Sequence, residues 1–387
     1  MAIILFDNNK RKQFYPLTTT RAIGSLRMGI LTIKERWEKL MDESIYIHTA
    51  PYLMPLYEPI PDGEHIWIDS SVIISDDLLN AIKTLKPNEA IEDDEGLIAG
   101  KSKESTDSFD VNNSLKWFKN NIIKTTIHRL EYPHQIFQLN DTFIKFDYKL
   151  ITQNRISQPI PSSNSTINPS NIFLEEGVSM EFCTLNASTG PIYIGKGAVL
   201  MEGCLIRGAF SLGNNSLLKM GSKIYGATTL GPNCVGGGEI KNIVMQAFSN
   251  KAHDGYLGDS FIGEWCNFGA GTNNSNVKNT GGEVHIWNDA QNDFINAGQK
   301  CGLIMGDYSR VAINSSINTG SVIGVCCNVF GGGLLPKVIK DFSWGLTDKY
   351  VFEKALADIN NWKKMKHQDL SQEETNVLTY IFEAIEE

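Results

Sequence analysis

Residues 194 to 230 read IGKGAVLMEGCLIRGAFSLGNNSLLKMGSKIYGATTL, and in them Ile194, Leu200, Ile206, Leu212, Leu218, Ile224 and Leu230 stand six residues apart. The beat returns at Met305, Val311, Ile317, Ile323 and Val329. Six fits neither the 3.6-residue helix period nor the two-residue alternation of a half-buried strand. It fits a triangular parallel β-helix, in which three short strands make one coil and each strand points one apolar residue inward. Glycine follows the apolar residue at 195, 213, 231, 306 and 324, so a period of eighteen, one coil, overlies the six. Small residues suit the tight corners between faces.

Working outward, the regularity lapses between Leu230 and Ile262, where Gly236-Gly-Gly leads into SNKAHDGYLGD at 249–259. An insertion held by a rigid coil is a common place for function. This one carries His253, whose imidazole can accept a proton near neutral pH.

Upstream, residues 1–152 mix short β-rich runs (Ile3–Phe6, Ile45–Ile47, Ile66–Ile68) with a helical pattern at Asp77–Leu85. That alternation predicts an α/β head on a largely parallel sheet. Residues 153–169, polar and bearing Pro and Ser, read as a linker, and 170–335 as the coil. Residues 336–387 read as helical, with a capping box at Ser371–Glu374 and an apolar stripe of Val377, Leu378, Ile381, Phe382 and Ile385.

The chain has 387 residues, with 35 basic against 44 acidic side chains and a net charge of −9. That balance argues against nucleic acid as a partner, though a local basic cluster can still hold a phosphate. MAIILF at the start is shorter than a secretory signal, and no apolar run approaches the ~20 residues that span a bilayer. Seven scattered cysteines without CxxC spacing read as reduced thiols. The expectation is a soluble cytoplasmic protein.

From Lys241 to Asn276 the chain resembles the acetyltransferase half of the bifunctional N-acetylglucosamine-1-phosphate uridyltransferases, with a His, then YLGD, then an IG…N.GAGT run ending in Asn. FDNN…PLTTTRAIGSLRMGILTIKERW, IFQLND at 136–141, NIFLEEG…NASTGPIYIG, GLIMGDYSR and FSWG extend the resemblance to a short-headed bacterial branch of that family. It implies a nucleotidyltransferase-like (Rossmann-like) head, a left-handed β-helix of hexapeptide repeats, C-terminal helices and a homotrimer. It further implies two reactions: acetyl transfer from acetyl-CoA to glucosamine 1-phosphate, and uridylyl transfer from UTP to N-acetylglucosamine 1-phosphate.

By matching positions, His253 falls on the general base, Tyr256 and Asn276 on sugar-site residues, Lys241 on a phosphate-binding lysine and Lys219, more loosely, on an arginine of that site. Val277 stands where the family has a second tyrosine. The head lacks the family's Gly-rich loop, which leaves Thr18, Thr20, Arg21 and Arg27 as expected triphosphate ligands. For Mg²⁺, Asn140 matches the late asparagine ligand, and Asp69 is the expected substitute for an aspartate replaced by serine in Trp67-Ile-Asp69-Ser70-Ser71. Three other readings share this architecture: an enzyme of other sugar or nucleotide specificity, a scaffold or sugar-nucleotide sensor with decayed sites, and a zinc carbonic anhydrase. The last has only His253 and His285 in the coil region and no ligand spacing between them.

Overall fold

A computed structural model describes residues 2–103, 109–118, 122–124 and 127–385. The head is a six-stranded sheet: β1 (Ala2–Phe6), β2 (Ile45–His48), β3 (His65–Asp69), β4 (Ala90–Asp93), β5 (Gly96–Ser102) and β6 (Ile122–Lys124). Its order is β2-β1-β3-β5-β4-β6, and only β5 runs against the rest. The largely parallel sheet expected from the alternation is present. Around it lie α1 (Ile33–Met41), α2 (Asp76–Lys83) and α3 (His134–Thr152). Thr32 and Glu35 close a capping box on α1, and Ser75 caps α2, so these two helices start where a side chain satisfies a free N–H group.

Beyond α3 the chain winds into a three-faced parallel solenoid. Successive coils stack Thr184–Asn186 on Leu205–Arg207 (first face), Ile192–Ile194 on Phe210–Leu212 (second) and Val199–Leu200 on Leu217–Leu218 (third). The seven residues of the six-step beat all point inward and are at most 3 % exposed. At one corner, Gly197, Asn215 and Asn233, eighteen apart, take left-handed φ of 66°, 55° and 58°, which glycine and asparagine tolerate best. The coil starts at Ser165–Ile167, inside the stretch read as linker, and ends at Ser343–Trp344, past the boundary at 335.

The expected lapse between Leu230 and Ile262 is not a break in the coil. Gly236, Ile240, Met245, Lys251, Leu257, Ile262 and Phe268 continue the inward positions, in steps of six or five apart from a step of four between Gly236 and Ile240. The pattern was hidden because Gly236 and Lys251 occupy apolar places, and because Glu239–Met245 and Tyr256–Ile262 each pass from first to second face in one continuous strand, with five residues between inward positions instead of six. The true insertion comes later, as the hairpin of His285–Asn288 and Asp293–Asn296.

Two faces are covered. The head lies on the second, where Val244, Phe261, Ile304 and Val322 join its apolar core together with Val284 and Ile286 of the hairpin. The helices α4 (Phe352–Lys364) and α5 (Gln372–Ala384) lie on the third. Their Ile359, Val377, Leu378 and Ile381 pack on Trp265, Tyr308, Val325 and Phe342. The Ser371–Glu374 capping box forms as expected. No described element covers the first face, where Ile167, Leu205 and Tyr225 are 54 %, 52 % and 44 % exposed. All seven cysteines are buried free thiols, and no helix among the described residues is long and apolar enough to cross a membrane.

Candidate functional site

The turn 252–255 rounds the corner from the third face to the first. It lies flat on the coil before it because that coil offers glycine. A Cβ at Gly237 would stand 2.3 Å from the Ala252 carbonyl oxygen, and one at Gly238 (φ 72°) would meet the Gly255 oxygen at 2.6 Å. Gly255 (φ 122°) in turn has no room for a side chain below Thr272. His253 sits exposed on this edge.

Beside it on the first face lies Tyr256, whose ring reclines over Gly258: a Cβ there would be 2.2 Å from the phenol oxygen. Asn276 Nδ2 donates to Tyr256 Oη (3.0 Å) and to the Asp259 carboxylate, which also accepts from Asn242 Nδ2 (2.6 Å). Burial, then the charges of Asp259 and Glu239, push the Tyr256 phenol up to about 12, so it remains a hydrogen-bonding hydroxyl. Lys241 is in register with Gly258, one strand from Tyr256.

Thus His253, Lys241, Tyr256 and Asn276 share one uncovered face and its edge. Lys219 lies at the same edge two coils earlier, roughly 10 Å along the axis. Asp259, Asn242 and Gly258, which orient the Tyr256–Asn276 pair, were not foreseen; YLGD in the sequence was their signal. His285 belongs to the hairpin docked on the head.

In the head, the chain passes from β1 to β2 on one side and then crosses to β3 on the other, so the ends of β1 and β3 form a switch point where ligands commonly bind. Asp69 is there, 1 % exposed. Its carboxylate accepts from Asn8 Nδ2 (3.1 and 3.0 Å), the Ser71 amide and hydroxyl (both 2.8 Å) and Arg129 Nε (3.0 Å). Arg129 also pairs with Asp93. The cavity beside them, lined in part by Asn8, Lys10, Glu95 and Arg129, holds about 110 Å³. Small-molecule pockets usually hold at least ~300 Å³.

The metal pair expected at Asp69 and Asn140 is not assembled. Asn140 is fully buried on α3, accepting from the Gly29 amide (2.7 Å) and donating to the Ala227 carbonyl (2.7 Å) and Thr229 hydroxyl (3.1 Å) of the solenoid. With a guanidinium already on Asp69, these residues do not fit Mg²⁺, which demands open oxygen ligands. Among the described residues there is no group of three or more His, Cys, Asp or Glu that could hold a metal ion.

The expected triphosphate ligands are likewise engaged. Arg21 pairs with Glu264 (3.0 Å) and Asp307 of the solenoid, and Thr20 donates to Asp307 (2.5 Å). Arg27 binds the Gln246 carbonyl (3.2 Å) and the Ile30 carbonyl. Thr18 donates to the Arg11 carbonyl (2.8 Å). Arg21, Thr20 and Arg27 dock the head, because carboxylates and a carbonyl of the solenoid take up the charge and donors a triphosphate would need, while Thr18 is satisfied within the head.

Residues 3–156 match the family model for sugar nucleotidyl transferases. The chain is 33 % identical over 100 residues to a bifunctional sugar-1-phosphate nucleotidylyltransferase/acetyltransferase of Sulfurisphaera tokodaii, covering 26 % of this chain and 24 % of the relative. It is 28 % identical over 117 residues to the bifunctional protein GlmU of Methanocaldococcus jannaschii, covering 30 % and 28 %. The chain spans about a quarter of the length of the curated relatives it matches. Residues 3–156 are thus similar to the sugar nucleotidyl transferase family, and they are joined to a β-solenoid in a chain similar to bifunctional nucleotidylyltransferase/acetyltransferases.

Proposed function

We propose that this chain is a transferase whose working centre is the edge at His253, and that it acetylates the amine of glucosamine 1-phosphate from acetyl-CoA. The observation that carries this reading is the gathering of His253, Tyr256, Asn276 and Lys241 on the one face left bare. His253 takes a proton from the amine, whose nitrogen lone pair then attacks the thioester carbonyl. A C–N bond forms, the C–S bond breaks, and the coenzyme A thiolate leaves and collects a proton. Lys241 offers a point charge to the phosphate, with Lys219 further along the same edge, while Tyr256 and Asn276 offer hydrogen bonds to the sugar.

A single chain supplies only one wall of this site. The exposed apolar side chains of the first face support a second copy as the other wall, in a trimer.

The second reading is uridylyl transfer from UTP to N-acetylglucosamine 1-phosphate in the head, giving UDP-N-acetylglucosamine and pyrophosphate. The family match over residues 3–156 favours it, and the occupied Asp69, Arg21 and Arg27 weigh against it. Mass spectrometry after incubation with glucosamine 1-phosphate, acetyl-CoA, UTP and Mg²⁺ tests both. Acetylated sugar phosphate without UDP-sugar is the expected outcome; no acetylated product would overturn the reading.

A further inference from the structure

Lys251 breaks the composition of the solenoid interior. It stands on the third face in register with Gly236 of the coil before, at an inward position, and is 1 % exposed. Its neighbours in that inward column include Leu218 and Phe268. A charged side chain in such a place is unfavourable unless its head finds a partner. The ammonium finds one in the turn itself: Nζ donates to the carbonyl oxygen of His253, and a Cβ on Gly255 would stand 3.4 Å from it. From outside, the same turn rests on Gly237 and Gly238. A corner so rich in glycine has little stiffness of its own.

We propose that Lys251 is a positioning residue for His253: its ammonium, delivered from inside the prism, clamps the His253 carbonyl and fixes the direction in which the imidazole leaves the corner. The proposal rests on the reading of His253 as the base in acetyl transfer. A charge-assisted hydrogen bond to a carbonyl is stronger than a neutral one. A base displaced by about 1 Å can lose ~10²-fold in rate. Burial lowers the Lys251 ammonium to about 8, opposed by the Asp254 carboxylate. Gly236 and Phe268 on the adjoining coils do not titrate, so the clamp is charged at pH 7 and released as pH rises through about 8.

Lys251→Met keeps the stem and removes the ammonium. Thermal unfolding of this variant should match or exceed that of the wild type, since a buried charge is gone. Amides of residues 252–256 should exchange with solvent ~10-fold faster while those of Glu239–Met245 do not change. With glucosamine 1-phosphate and acetyl-CoA, kcat should fall ~10–100-fold with KM within about twofold, and the fall of wild-type kcat above pH 8 should be missing. Lys251→Gln, which keeps an N–H donor, should recover part of kcat. Exchange at 252–256 equal to wild type overturns the clamp whatever the activity. Absence of acetyl transfer by the wild type instead overturns the reading of His253, and exchange alone then decides the clamp.

Discussion

The edge at His253 and the strand ends of the head are both lined with polar side chains, and they treat those side chains in opposite ways. At the head, Asp69 accepts from Asn8, Ser71 and Arg129, and Arg129 turns to Asp93 as well. Arg21 and Thr20 are closed onto Asp307. On the first face, neither the His253 imidazole nor the Lys241 ammonium has a hydrogen-bond or ion-pair partner among the described residues, and the Tyr256–Asn276 pair is held from behind by Asp259 and Asn242. A group already satisfied internally has nothing left for a substrate, whereas a group oriented by neighbours and left facing out is ready for one. The polar side chains at the head are spent on structure, whereas those at the His253 edge are left facing out.

The comparison breaks first at His253. Replacement by alanine should lower acetyl transfer by ~10²–10⁴ in kcat, read by release of coenzyme A thiol. A change of less than threefold would place the chemistry elsewhere.

Arg21→Met probes the other side. Leaving buried Asp307 without its guanidinium, and half-buried Glu264 without its partner, should destabilise the fold by ~3–5 kcal/mol, seen in urea unfolding. A triphosphate ligand would show the reverse pattern, with unchanged stability and abolished UDP-sugar formation.

A smaller effect is expected at Asp341, which accepts from the Tyr15 hydroxyl (3.0 Å) and the Val325 amide (2.7 Å) at the head–solenoid junction. Burial raises its carboxyl from 3.8 to about 6. The folded state therefore binds this proton more tightly than the unfolded chain, and the associated stability is present below about pH 4 and lost as pH rises through 6. Asp341→Asn should raise stability by on the order of 2 kcal/mol at pH 7.5, and the gain should disappear near pH 4. Melting curves at the two pH values check it. Smallest of all, Tyr256→Phe should raise KM for the sugar phosphate by ~3–10-fold, about 1 kcal/mol, leaving kcat within threefold.

The solenoid was legible because its inward positions are mostly apolar and evenly spaced, so Ile194 to Leu230 announce a coil by themselves. Where Gly236 and Lys251 took inward places, the pattern seemed to stop although the backbone continued. His253, Tyr256 and Asn276 could be singled out as candidates because they lie within one short run. Arg21 could not be read as a docking residue, since its carboxylates lie 243 and 286 positions away. Nothing in PLTTTRA distinguishes an arginine reaching for phosphate from one reaching for Asp307. Asn140 was misplaced for the same reason: its partners at Gly29, Ala227 and Thr229 come together only after the domains dock.

The end of the chain meets the head. Tyr380 of α5 stacks on Tyr52 with ring centres 4.3 Å apart and planes 14° from parallel. With the head seated on one side of the prism and the helices on the next, this clasp turns the two domains and the tail into one locked body. A hinge swing of the head against the solenoid is therefore opposed by this stack as well as by the docked second face. Any movement of the head on the prism must first unstack these two rings.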